Sequence, residues 1–238
     1  MADSISRALG VVRRGQPTRA NTQEVINVTI TVSDSLLNSV RLGDMRDLSR
    51  DVPDSSVDLI FTDPPYLHEF IYLYGELARV ARRVLKPCGF CLVYCGVVHL
   101  ERVVKLMAGL EYFYSYILVH RDAGGEVLTR LTRNDYKMVL AYRLAGSVAL
   151  PQGIVDSVVV GSGMDKRYHE WGQDVGSAEY FIKNFSAVGG VVYDPFVGGG
   201  TSAVAAMGAG RQFIVSDLDV SAYRTTLARV NALRMAGV

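Results

Sequence analysis

The chain has 238 residues, 49% of them hydrophobic and 21% charged, with a formal net charge of +1. That length and apolar content suit one α/β domain with a full core, and near-neutrality excludes a global pull toward nucleic acid, so such a partner has to be met by a local patch. No apolar run approaches the roughly 20 residues of a membrane span, Arg13 and Arg14 interrupt any secretory core segment, and three cysteines fit a reduced, cytoplasmic protein without a disulfide framework.

Residues 1–24 hold Arg7, Arg13, Arg14 and Arg19 with no apolar period. They read as a flexible basic arm, either simply solvated or touching phosphates; a cleavable targeting segment has a similar composition. Val25 to Thr31 is β-branched enough for a short strand. Ser33 to Leu42 ends in the turn signal Gly43-Asp44, where Asp44 either caps the turn or lines a cleft.

Val57 to Thr62 is a buried-strand run that stops at Asp63-Pro64-Pro65-Tyr66. Neither proline supplies a ladder N–H, so the strand ends there and the loop after it is stiff. Such a loop suits a site where a carboxylate and main-chain carbonyls accept hydrogen bonds from one group. Apolar residues at helical spacing predict a helix over Glu69 to Leu85, stopped by "KPCG", and a strand over Phe90 to Val98. Cys91 and Cys95 in that strand would stand about 13 Å apart, which excludes one shared zinc ion and makes them small core residues.

Glu101 to Leu110 reads as a helix, and Tyr112 to His120 and Tyr136 to Leu144 as strands. Between them lies a polar stretch carrying Arg121, Arg130 and Arg133, either a solvated hairpin or a loop that contacts phosphates. Residues 145–170 hold scattered prolines and glycines and read as loop. Gly176 to Ala187 predicts a helix, and Val191 to Tyr193 a strand.

That last strand ends in Asp194-Pro195-Phe196-Val197-Gly198-Gly199-Gly200-Thr201, with a helix opening at Ser202. Glycines at a strand-to-helix turn let backbone approach a ligand, and helix N–H groups favour an electron-rich one. The next strand, Gln212 to Val215, runs to Asp217, about 20 residues on and placed for ribose hydroxyls. No Lys-Ser/Thr pair follows the glycines, which argues against a nucleoside triphosphate loop. A helix over Val220 to Met235 closes the chain. Ligands of open α/β sheets bind beyond the carboxyl ends of the strands, so Asp63 and Asp194 are expected at the rim of one cleft.

Asp63-Pro64-Pro65-Tyr66 resembles the catalytic motif of amino-methyltransferases, and "DPFVGGGTSAVAAMGAGRQFIVSDLDVSAY" resembles their cofactor motif. The order, catalytic motif first, is similar to the permuted β group of DNA adenine and cytosine amino-methyltransferases. The likeness spans most of Arg41 to Ala232. It implies a Rossmann-like α/β fold in residues 25–238, one methyltransferase domain with a mostly parallel seven-stranded sheet, one antiparallel strand and permuted order. It implies S-adenosylmethionine as cofactor, along Phe196, Gly198 and Gly200, with Asp217 at the ribose and Asp194, Thr201, Gln173 and Ser177 near the methionine end. Asp63 and the Pro64 carbonyl would accept hydrogen bonds from the target amine, with Pro65 stiffening the loop and Tyr66 stacking on the base.

The form Asp-Pro-Pro-Tyr is similar to that of adenine enzymes, so the expected reaction is methylation of the adenine 6-amino group in DNA, with a homodimer as one assembly. Two departures stand out. The candidate recognition segment, 146–171, is short, and Gln173 replaces a lysine common among relatives. The short segment keeps RNA open as a substrate, along with cytosine and a role as a non-catalytic subunit of a methyltransferase pair.

Overall fold

The computed structural model of the chain describes residues 32–120, 125–127, 132–161 and 174–237. The expected arm, the strand over Val25 to Thr31, Arg121, Arg130, Gln173 and part of the 146–171 segment lie outside the described residues.

The first short strand, β1 (Ser39–Leu42), leads into a one-turn helix, α1 (Met45–Leu48). Asp44 caps that helix, accepting from the Arg46 N–H at 2.8 Å. Of its two expected roles, capping is the one the structure shows. The strand β2 (Val57–Thr62) is as the sequence predicts. The following helix, α2 (Leu73–Val84), starts later than expected because a 3₁₀ turn takes up His68–Phe70. Tyr74, Leu77, Ala78, Val80, Ala81 and Val84 line its buried face, the i, i+3, i+4 pattern of an amphipathic helix.

The helix ends at Val84, as the "KPCG" stop predicts, but the strand β3 (Leu85–Cys95) begins directly there and takes in that stretch, ahead of the expected start at Phe90. The strand absorbs this stretch as an irregularity: its register with β2 shifts between Val57 and Leu59. Cys91 and Cys95 are buried in it, as expected for core residues.

The short helix α3 (Leu100–Leu106) and the strand β4 (Glu111–His120) come next. A two-stranded hairpin, β5 (Gly125–Val127) with β6 (Thr132–Asn134), occupies part of the expected basic loop, and the strand β7 (Tyr136–Arg143) follows. An unexpected edge strand, β8 (Val158–Gly161), lies in the stretch read as loop. The chain finishes with α4 (Val175–Phe185), β9 (Val191–Asp194), α5 (Thr201–Gly208), β10 (Gln212–Asp217) and α6 (Val220–Met235).

Eight strands form one sheet in the order β1-β10-β9-β2-β3-β7-β4-β8. All neighbours pair in parallel except at β7, which is antiparallel to both β3 and β4. The single antiparallel strand is as expected; the count is eight rather than seven because β8 extends the edge beyond β4. One apolar cluster joins α1, α2 and α3 to one face of the sheet, through residues such as Met45, Leu77 and Val103. The other joins α4, α5 and α6 to the opposite face, through Phe181, Ala205 and Val230. Strands covered on both sides carry continuous apolar runs, which is why Leu59, Ile60 and Phe61 are all buried.

Candidate active site

The chain leaves β9 toward β10 on one side, whereas it leaves the adjacent β2 toward β3 on the other. The carboxyl ends of β2 and β9 therefore flank a topological switch point, where open α/β sheets bind ligands. Asp63 follows the last residue of β2, and Asp194 is the last residue of β9.

The two strand ends are tied together through Asp194. Its Oδ1 accepts from the Thr62 hydroxyl at 2.6 Å and from the Phe196 N–H at 3.0 Å, and its Oδ2 accepts from the Ser202 hydroxyl. Asp194 thus fixes the start of the glycine turn, the start of α5 and the end of β2 at once. The side chain is almost wholly buried, and burial pushes its pKa up to about 7, against the opposing pull of the Ser202, Thr62 and Phe196 hydrogen bonds.

The glycine turn is strung between β9 and β10. Gly198 has a φ of 51° and Gly200 a φ of 87°, conformations that glycine adopts without the steric cost of a Cβ. The Gly198 N–H donates to Asp217 Oδ2 at 2.8 Å, and Asp217 Oδ1 accepts from the Asp219 N–H at 2.9 Å. The Gly198 carbonyl accepts from the Thr226 hydroxyl at 2.8 Å, and the Gly199 carbonyl from the Arg229 guanidinium. A Cβ built on Gly198 would meet nothing within 4 Å, so the turn faces open space. Phe196 is half-buried beside it, and Thr201 is buried at the first turn of α5.

At the other wall, the Tyr66 hydroxyl donates to Asp63 Oδ1. Burial, with the Asp63 carboxylate close by, raises the Tyr66 pKa well above the ordinary tyrosine value, so the phenol stays protonated. Pro64 is buried and Pro65 exposed, and the Tyr66 ring packs where a Cβ on Gly96 would stand, 3.4 Å away. Lys137 comes in from β7: its ammonium lies 3.2 Å from Asp63 Oδ2, 5.2 Å from the Tyr66 ring centroid and 5.6 Å from that of Tyr94.

A third wall is the start of α4. Asp174 caps that helix, accepting from the Ser177 N–H at 2.9 Å and the Ser177 hydroxyl at 2.7 Å. Ser177 is buried there, close to the end of β8: a Cβ on Gly161 would lie 3.1 Å from its hydroxyl.

The structure thus gathers Asp63, Pro64, Pro65 and Tyr66 at the end of β2, Asp194, Phe196, Gly198, Gly200 and Thr201 after β9, Asp217 at the end of β10 and Ser177 on α4. Arg133 falls in the separate β5–β6 hairpin, and its side chain lies outside the description. Sequence reasoning missed Lys137, Thr62, Ser202 and Arg229, and took in Asp174 only as part of the Gln173 to Ser177 segment. For Lys137 the signal is a cation near the start of "YKMVLAYR", two residues from buried Val139 and on the same strand face. For Asp174 it is the capping pattern Asp-x-x-Ser at a helix start.

A doubly covered, mostly parallel sheet with a glycine turn and an acidic strand end at its switch point is the S-adenosylmethionine-dependent methyltransferase fold, and solved structures with that fold superpose on the chain. The M1.HpyAVI–SAM complex matches with a TM-score of 0.69 at 18% identity, covering 81% of this chain and 98% of that one. The cytosine-N4-specific PvuII DNA methyltransferase matches with a TM-score of 0.71 at 18% identity, covering 80% and 85%. A DNA methylase family model matches residues 152–228. The Escherichia coli (strain K12) methylase YubD is 30% identical over 203 residues, 77% of this chain and 86% of that protein. The chain belongs to the DNA methylase family, the DNA amino-methyltransferases.

Proposed function

We propose that the protein transfers a methyl group from S-adenosylmethionine to the 6-amino group of adenine in DNA. The observation that carries the reading is the joining of Asp63-Pro64-Pro65-Tyr66 to the Gly198–Gly200 turn through the Thr62–Asp194 hydrogen bond. That bond sets an amine-accepting carboxylate beside a nucleotide-type cradle. Placement of the Asp-Pro-Pro-Tyr segment before the glycine turn supports the permuted β group, within one methyltransferase domain.

The residues fit the cofactor. The glycine turn has open space above it, Phe196 offers an apolar edge beside it, and Asp217 stands at the neighbouring strand end for the ribose hydroxyls. When bound there, S-adenosylmethionine supplies an electrophilic methyl group on sulfur. The chain's own residues prepare the nucleophile. An exocyclic amine is a poor one because its lone pair is delocalised into the ring. In this reading Asp63 accepts one N–H and the Pro64 carbonyl the other, which draws the nitrogen toward tetrahedral geometry and orients it for in-line attack. To do so the amine takes over the place at Asp63 Oδ1 that the Tyr66 hydroxyl occupies here. The Tyr66 ring, freed from that bond, stacks on a base flipped out of the duplex. Lys137 remains at Asp63 Oδ2 and balances the half-buried carboxylate.

The test is transfer of labelled methyl from S-adenosylmethionine to duplex DNA, single-stranded DNA and RNA, followed by digestion to nucleosides. Label on adenine from DNA is the expected result. Label on cytosine, or only in RNA, would keep the chemistry and overturn the substrate. No label, with cofactor bound, would replace the reading by a non-catalytic subunit.

A further inference from the structure

Four buried side-chain oxygens have no hydrogen-bond partner among the described residues: the hydroxyls of Tyr94, Tyr142, Tyr193 and Ser216. Leaving a buried hydroxyl unpaired is costly, so each calls for an explanation. Tyr142 and Tyr193 belong to the apolar cluster on the α1–α3 face. Tyr94 belongs to the other face, where α4 and α5 cover the sheet and Asp174 caps the first of them.

Its position places Tyr94 against the reacting centre. Thr62 pairs with Val93 across β2 and β3, so Asp63 and Tyr94 are the next residues along adjacent parallel strands. The ring is held edge-on to Phe61 at 5.5 Å, and the Tyr94 main-chain carbonyl is held by the Tyr74 hydroxyl at 2.9 Å. Ring and backbone are therefore fixed while the hydroxyl stays unpaired. After burial itself, the groups that most disfavour its ionisation are the carboxylates of Asp63, Asp174 and Asp194, one from each wall of the crevice. Among the four orphaned hydroxyls, this is the one set among all three. The Lys137 ammonium already balances Asp63 and lies 5.6 Å from the Tyr94 ring centroid; a neutral phenol oxygen there offers lone pairs to a further cationic group without adding negative charge.

We propose that the Tyr94 hydroxyl oxygen is a cofactor contact, lying against the positively charged sulfonium centre and the methyl group it carries. This rests on the reading of the crevice as an S-adenosylmethionine site and adds a residue to it. The phenol would then favour the methylated, charged cofactor over its demethylated, neutral product, S-adenosylhomocysteine, which helps product leave.

The experiment compares wild type, Tyr94→Phe and Tyr142→Phe as full chains, by calorimetric titration with each of the two ligands and by thermal unfolding without ligand. Tyr94→Phe should weaken S-adenosylmethionine binding by about tenfold, the scale of one polar contact to a charged group, and leave S-adenosylhomocysteine binding unchanged. Without ligand the variant should unfold a few degrees higher, because an unpaired buried hydroxyl is gone. Tyr142→Phe should raise the unfolding temperature and alter neither affinity. Unchanged affinity for both ligands in Tyr94→Phe would overturn the inference, as would equal loss for both, which would put the hydroxyl on the part they share. Failure of wild type to bind S-adenosylmethionine would instead overturn the cofactor reading itself.

Discussion

Asp194 offers a prediction that needs no substrate. Its carboxyl is almost wholly buried, and burial raises its pKa from 3.8 in a model compound to about 7 in the folded chain. A group with a raised folded pKa binds its proton more tightly in the native state. Its contribution to stability is therefore complete below about pH 4, is lost as pH rises through 7, and is flat above. A shift of that size corresponds to about 4 kcal/mol, at 1.36 kcal/mol per unit. Asp194→Asn keeps the shape and cannot titrate. The assay is urea unfolding of the ligand-free proteins at intervals from pH 4 to pH 8. The difference in unfolding free energy, wild type minus variant, should fall by about 4 kcal/mol across that range. Other titrating groups are common to both proteins and cancel. A difference that stays constant with pH would show that the pKa is not raised, the hydrogen bonds from Thr62, Ser202 and Phe196 compensating burial in full.

Other consequences follow from the glycine turn. A side chain on Gly198 points into the open space above the turn, so Gly198→Asp should abolish cofactor binding in calorimetry; affinity like that of wild type would place the cofactor elsewhere. Gly200→Ala strains a φ of 87° and brings a Cβ to 2.9 Å from the Thr226 hydroxyl. It should cost about 1–3 kcal/mol in urea unfolding, and no measurable loss would contradict the described turn.

Much of the fold was legible because the central strands are covered on both faces. The run Val57–Thr62 is apolar apart from Asp58 and Thr62 and is followed by Asp63, and Gln212–Asp217 carries the apolar stretch Phe213–Val215 and ends in Asp217. The single antiparallel strand came with the family resemblance, not from any pattern in Tyr136–Arg143. The start of β3 was misread because lysine, proline and glycine usually break elements, whereas Lys86 here pairs with Asp58 at 2.7 Å and the strand tolerates a register shift. The strand β8 is four residues long at the sheet edge, too short for periodicity to distinguish from loop.

In the site, the motif residues were legible because each motif is contiguous in sequence. What holds the motifs in place was not. Thr62 and Asp194 are 132 residues apart, and Lys137 reaches Asp63 across 74. Such pairings are fixed by strand order, which no local pattern encodes. The partners that the sequence assigns to a cofactor also serve the protein: Asp194 and Asp217 each accept main-chain N–H groups of the loops that they shape.

Whether Asp63 activates an amine beside a cofactor held by the glycine turn is decided by one paired measurement on wild type and Asp63→Ala. Labelled methyl transfer to DNA is followed under single-turnover conditions, and S-adenosylmethionine affinity is measured on the same samples. Transfer in the variant should be at least a hundredfold slower, on the scale of losing one preorganised polar contact to the reacting group, while S-adenosylmethionine still binds. Transfer at the wild-type rate by Asp63→Ala would contradict that role of Asp63.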